Sequence, residues 1–250
     1  MSRRLLGLCL TALVATATAC SGGTDSADEA TLNVFAASSL TSVFTELETQ
    51  FERDHEGVDV ALSFDSSTTL ATQIRSGAPA DVLATADQPS MQILVDADMN
   101  AERPVPFAAN TMAIVTPERN PAAIEDIDDL NGTDFVVCDP SAPCGAVAAR
   151  ILRDAGITTR PVSLEDKATA VLSKVTLGEV DAGIVYVTDA QTAGTDVTRV
   201  DIPRSLNEVT PYYMSVVRDS QNADLASDWA SLVESEAGQD LLASAGFLPP

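Results

Sequence analysis

The 250-residue chain is poor in the side chains that most often carry chemistry: it has one His, one Trp, four Cys and only 4% aromatic residues. A hydrolase with a hydroxyl nucleophile needs a base within hydrogen-bond reach, usually His. His55 stands in the polar turn Arg53-Asp54-His55-Glu56-Gly57, where it reads as a solvated surface residue, far from the serines described below. Basic residues are scarce as well. With 14 Lys and Arg against 37 Asp and Glu, the net charge is −23 and no basic cluster is available for phosphate backbones, so nucleic acid is not an expected partner. The chain also lacks a phosphate-cradling glycine loop and a dinucleotide fingerprint. No catalytic residue, cofactor or metal cation is expected. Apolar residues make up 45% of the sequence, which excludes an acidic disordered tail and allows a sizeable core.

A long hydrophobic run is missing too. Arg3 and Arg4 precede an apolar stretch from Leu5 to Val14, about half the roughly 20 residues of a permanent membrane span, and small residues then lead to Cys20. Residues 1–19 read as an export signal, and 20–30, small and polar, as a flexible tether. A small-residue run ending in Cys before such a tether resembles a bacterial lipoprotein signal. It implies lipidation at Cys20 and a protein anchored to the outer face of the cell membrane. The alternative is ordinary cleavage near Ala19, leaving Cys20 a thiol. Removal of residues 1–19 takes away two arginines and brings the charge to −25. In the exported part only Cys138 and Cys144 remain within the folded body; disulfides persist outside the cell, so this pair reads as a bridge closing the loop Asp139-Pro140-Ser141-Ala142-Pro143. A metal site at this pair lacks ligands.

From Leu32 onward strands alternate with helices, the pattern of an α/β fold with largely parallel sheets. Leu32 to Ala36 reads as a strand. Leu40, Val43, Phe44, Leu47 and Phe51 line one face of a helix, and Val58, Val60, Leu62 and Phe64 alternate along a second strand. Leu70, Ala71 and Ile74 mark a helix ending at Gly77, and Asp81 to Ala84 a third strand. Further strands are expected near Thr111–Val115, at Phe135–Val137, Ala182–Tyr186 and Tyr213–Val216. Helices are expected around Ala148–Ala155, Ala168–Val175 and Leu225–Val233, with Gly156 and Gly178 as stops and a last apolar segment at Leu241–Phe247.

Ser38-Ser39, Ser66-Ser67-Thr68-Thr69, Cys144-Gly145 and Lys167-Ala168 all stand where a strand hands over to a helix. Ligands gather at such places because helix N-termini present unpaired N–H groups, a setting that favours an anion. A lone serine there is more often a simple N-cap, but four consecutive hydroxyls exceed what one helix start needs.

Four ordered motifs sharpen this reading: Val34-Phe35-Ala36-Ala37-Ser38-Ser39-Leu40, Ser63-Phe64-Asp65-Ser66-Ser67-Thr68-Thr69-Leu70-Ala71, Ser76-Gly77-Ala78-Pro79-Ala80-Asp81-Val82 and Asp181-Ala182-Gly183-Ile184-Val185-Tyr186. Together they closely resemble the periplasmic molybdate-binding proteins. The resemblance implies a two-lobed periplasmic-binding-protein fold of type II, each lobe a mainly parallel sheet flanked by helices. Residues 31–106 plus 209–250 would form lobe 1 and 107–208 lobe 2, with the ligand in the interlobe cleft. It implies a monomer that captures molybdate or tungstate and hands it to an ABC permease. Ser39 and Ser67 would supply hydroxyl and backbone donors, Cys144 and Ala168 their backbone N–H groups, and Tyr186 its phenol. Molybdate is a proton-free tetrahedral dianion that only accepts hydrogen bonds, so a wall of donors without arginine suits it. Sulfate, phosphate, or a non-transport receptor role on the same fold are the alternatives. Asp65 is expected outside the ring of ligand contacts, since an inward carboxylate would favour hydrogen phosphate instead. Lys167 reads as solvated.

Overall fold

The computed structural model describes residues 30–250, so the export signal at 1–19, Cys20 and all but the last residue of the tether lie outside the described residues. In chain order the elements are β1 (Ala30–Ala37), α1 (Thr41–Asp54), β2 (Val58–Asp65), α2 (Ser67–Arg75), β3 (Val82–Thr85), α3 (Gln88–Asp96), β4 (Val105–Asn110), β5 (Met112–Pro117), β6 (Phe135–Cys138) and α4 (Pro143–Asp154). There follow β7 (Ser163–Glu165), α5 (Ala168–Thr176), β8 (Ala182–Tyr186), α6 (Val187–Ala193), β9 (Val197–Asp201), β10 (Thr210–Val216), α7 (Ala223–Glu234) and α8 (Glu236–Ser244).

The strands form two five-stranded sheets, ordered β2-β1-β3-β10-β4 and β7-β6-β8-β5-β9. Each is mainly parallel with a single reversed strand. β10 runs antiparallel to β3 and β4 in the first sheet, and β5 antiparallel to β8 and β9 in the second. Each sheet with its flanking helices makes one lobe. The chain crosses from the first to the second between Asn110 and Met112 and returns between Asp201 and Thr210, and two such crossings make a hinge.

The expected periodicities have physical partners. Val43, Phe44, Leu47 and Phe51 of α1 are buried, and Phe44 and Phe51 meet the edge and face of Trp229 on α7 at 5.5 Å. Full burial of each such side chain contributes about 1.5–3 kcal/mol. Gly156 and Gly178 take φ of +72° and +69°, the left-handed stop that ends α4 and α5. Only Val60 of the four alternating β2 residues is buried, because β2 is an edge strand.

His55 departs from expectation. Its ring stacks on Phe51 at 4.0 Å, Nδ1 donates to the Phe51 carbonyl oxygen at 3.0 Å and Nε2 lies 3.5 Å from Asp228, so it is a packed helix-end residue and not a solvated one. The Cys138–Cys144 disulfide is formed.

Candidate functional site

The carboxyl ends of β1, β2 and β3 point toward the second lobe, and there they meet the starts of α4 and α5 and the end of β8. Ser38 and Ser39 follow β1 in a short 3-10 turn, both buried. Asp65 ends β2, opposite Ala37 in the parallel register, and Ser66 and Ser67 open α2. Ser39, Ser67, Cys144, Ala168 and Tyr186, the five residues the sequence singled out, line one small cavity between the lobes. Its free space, open solvent included, amounts to about 210 Å³, with room for about one water-sized sphere. That is the scale of a compact inorganic ion and not of a drug-sized organic ligand.

The wall presents donors. Ser67 Oγ accepts the Ala86 N–H at 2.9 Å, which leaves its own proton for the cavity. Ser39 Oγ lies 2.8 Å from the Tyr212 hydroxyl, and the Asn110 side-chain amide lies 3.4 Å from that same hydroxyl. The Asn110 Oδ1 accepts the Thr111 N–H at 2.9 Å, which fixes its NH₂ as the donor toward Tyr212 and toward Thr188 Oγ1 at 2.8 Å. Either hydroxyl can donate in the Ser39–Tyr212 bond; when Tyr212 donates, the Ser39 proton is left to point into the cavity. Tyr212, Asn110 and the Ala86 N–H escaped the sequence reading, since the sequence gives no sign that Tyr212 lies beside a serine 173 positions away.

Across the cleft the donors are backbone groups. Cys144 and Gly145 stand in the first turn of α4 and Ala168 is the first residue of α5, where N–H groups have no intrahelical acceptor. Three helices of nine, twelve and nine residues, α2, α4 and α5, therefore bring their positive ends to the cavity. The α4 turn is pressed against the disulfide loop: a Cβ on Gly145 would come within 1.9 Å of the Asp139 carbonyl oxygen, so only glycine fits.

Tyr186 completes the second wall. Its residue is 2% exposed, and its hydroxyl is buried without a hydrogen-bond partner in the protein. An orphaned buried hydroxyl costs about 1–3 kcal/mol; Thr210 Oγ1 and Trp229 Nε1 are orphaned too, but of the three only Tyr186 stands on the wall of this cavity. Burial pushes the Tyr186 phenol far up, which keeps it a donor at neutral pH. Beneath it, the Tyr186 N–H donates to Asp189 Oδ2 at 3.1 Å, and burial raises that carboxyl to about 7.

Two charged residues face each other across the cavity. Asp65 lies in the cavity wall, but its Oδ1 accepts the Ser66 N–H at 2.8 Å and the Lys167 ammonium at 3.4 Å. Lys167 is therefore not solvated; it reaches across the cleft to this carboxylate. A larger open cleft, with about 930 Å³ of free space against 210 Å³, lies alongside, lined in part by Asp87, Arg150 and Thr210. Its arginine is clamped by Glu208 at 2.8–3.0 Å, which raises Arg150 and lowers Glu208.

Residues 32–248 match the family described as bacterial extracellular solute-binding protein. The chain is 42% identical over 219 residues to the molybdate-binding protein ModA of Mycobacterium tuberculosis, covering 87% of this chain and 84% of that protein. It is 33% identical to the molybdate-binding protein ModA of Escherichia coli, with 96% of each chain covered. Among solved structures it resembles the periplasmic molybdate-binding protein of Azotobacter vinelandii, with a TM-score of 0.78, 18% identity and coverage of 88% of this chain and 99% of that one, a likeness of fold.

Proposed function

The chain belongs to the bacterial extracellular solute-binding proteins and, within them, to the molybdate-binding proteins, and from that premise we propose that it captures molybdate between its lobes and delivers it to an ABC importer. It is a binding protein and not an enzyme. The observation that carries the proposal is the Tyr186 hydroxyl, a buried donor without a protein partner on the wall of a cavity otherwise edged with serine hydroxyls and helix starts.

In this reading Ser39 and Ser67 donate from the first lobe, and the Cys144 and Ala168 N–H groups and the Tyr186 phenol from the second. A dianion held by donors from both lobes binds the closed state far better than the open one, and that differential affinity drives closure about the hinge. Charge compensation comes from three helix starts and several charge-assisted hydrogen bonds. Tungstate, equally proton-free and tetrahedral, is the second ligand of the proposal. Export with lipidation at Cys20 would keep the protein at the outer membrane face beside its permease, and residues 20–30 would let it reach that partner.

The net charge of −25 after removal of residues 1–19 repels a dianion at long range, but salt near 0.15 M screens beyond roughly 8 Å. The repulsion therefore slows capture at low ionic strength and leaves the closed site intact. Titration calorimetry with molybdate, tungstate, sulfate and phosphate tests the proposal. Tight binding of the first two, with the last two silent, is expected; preferential binding of phosphate or sulfate would replace the ligand assignment.

A further inference from the structure

Among the residues lining the cavity, Asp65 is the one carboxylate and Lys167 the one cation. They belong to opposite lobes: Asp65 closes β2, and Lys167 is the residue immediately before α5, its side chain making no cap to that helix. Their side chains are 27% and 30% exposed, a setting in which an ion pair adds little to stability. The pair is placed, instead, where it controls what the wall offers a ligand.

We propose that Lys167 is a specificity-determining residue that acts through Asp65: by pairing with the carboxylate it offsets the negative charge that would otherwise act on the bound oxyanion. This rests on the reading of the cavity as an oxyanion site. A proton-free tetrahedral anion carries acceptors only, so a lone pair aimed at it repels. A hydrogen-bearing oxyanion, such as hydrogen phosphate, has one donor that an unpaired carboxylate would accept. With Lys167 and the Ser66 N–H both on Asp65 Oδ1, the pair is neutral and the rest of the wall presents donors. Without Lys167 the same wall would carry a free carboxylate beside the ligand, turning a site for proton-free anions toward protonated ones. Because the two side chains come from different lobes, the masking forms as the lobes come together and the ligand is enclosed.

The test is titration calorimetry of the full chain and its Lys167→Met, Asp65→Asn and doubly substituted forms, with molybdate and with phosphate near neutral pH; circular dichroism checks folding, and Lys167→Gln replaces the Met variant should that fail to fold. Lys167→Met is expected to weaken molybdate binding about tenfold or more, from the uncompensated charge, and to narrow the preference for molybdate over phosphate. Adding Asp65→Asn should restore affinity and preference to within about threefold of the wild type, as coupled neighbours do. If wild type binds molybdate and Lys167→Met binds it equally well, the inference fails alone. If the double variant stays as weak as Lys167→Met, the lysine acts directly on the anion and the masking role is overturned. A wild type that binds neither anion sinks the oxyanion reading and this inference together.

Discussion

The first lobe meets the cavity with side-chain hydroxyls, each aimed by a second group, whereas the second lobe meets it mainly with backbone N–H groups. Ser39 is held by Tyr212 and Ser67 by the Ala86 N–H. Cys144 and Ala168 depend on where two helices begin, and the disulfide and the tight seat of Gly145 fix one of those beginnings. The first wall is therefore exposed to side-chain substitution. The second depends first on where its helices begin; Gly145 admits no side chain there, and Tyr186 and Lys167 are the side chains whose loss should be felt.

The largest effect should come from the carboxyl beneath Tyr186. Asp189 is raised by burial to about 7, above its ordinary value of 3.8, so the folded state holds a proton that the unfolded state releases between about pH 4 and 7. Stability therefore falls as pH rises through that window, by about 4 kcal/mol in all, and stays low above it. Thermal unfolding followed against pH should show this slope in the wild type and lose it in Asp189→Asn; identical slopes would remove Asp189 from the account. The next test separates backbone from side chain. Ala168→Pro deletes the N–H at the first helical position, where proline is tolerated and where the preceding Lys167 is already extended. It should cost molybdate binding about 2 kcal/mol, whereas Ala168→Ser should change it by less than about 0.5 kcal/mol. Equal losses in the two variants would break the contrast between the walls.

Tyr186→Phe is expected to weaken binding by about 1–3 kcal/mol while leaving thermal stability unchanged or raised, because the hydroxyl it removes has no partner in the protein. A matching fall in stability would make the phenol a structural group. Tyr212→Phe should have a smaller effect than Tyr186→Phe, about 1 kcal/mol on both binding and stability, since it breaks the relay that aims Ser39 without touching the anion.

What could be read from the sequence follows the same division. In the proposed site Ser39, Ser67 and Tyr186 would act through their own side chains; they stand in motifs, and the helices with stripes at four-residue spacing appear where expected. Cys144 and Ala168 would act through atoms every residue has, so only their place at helix starts and the family resemblance pointed to them. The Ser39 partner and the Asp65–Lys167 pair arise from contacts between elements far apart in sequence, the latter spanning 102 positions, which local patterns do not encode. Several elements were missed for related reasons. α3 buries only Ser90, Met91 and Leu94 and is announced chiefly by its Asp87 cap, while β7 has three residues, none of them buried. β4 carries Pro106 near its start, tolerable because β4 is an edge strand, and the prolines around it read as breaks.

The most direct test of the central claim is a crystal structure of the molybdate complex. The anion is expected in the small cavity, with its oxygens within about 3.2 Å of the Ser39 and Ser67 hydroxyls, the Cys144 and Ala168 backbone nitrogens and the Tyr186 hydroxyl. An anion seated in the wider cleft beside Arg150, with the Tyr186 hydroxyl still unpartnered, would contradict it.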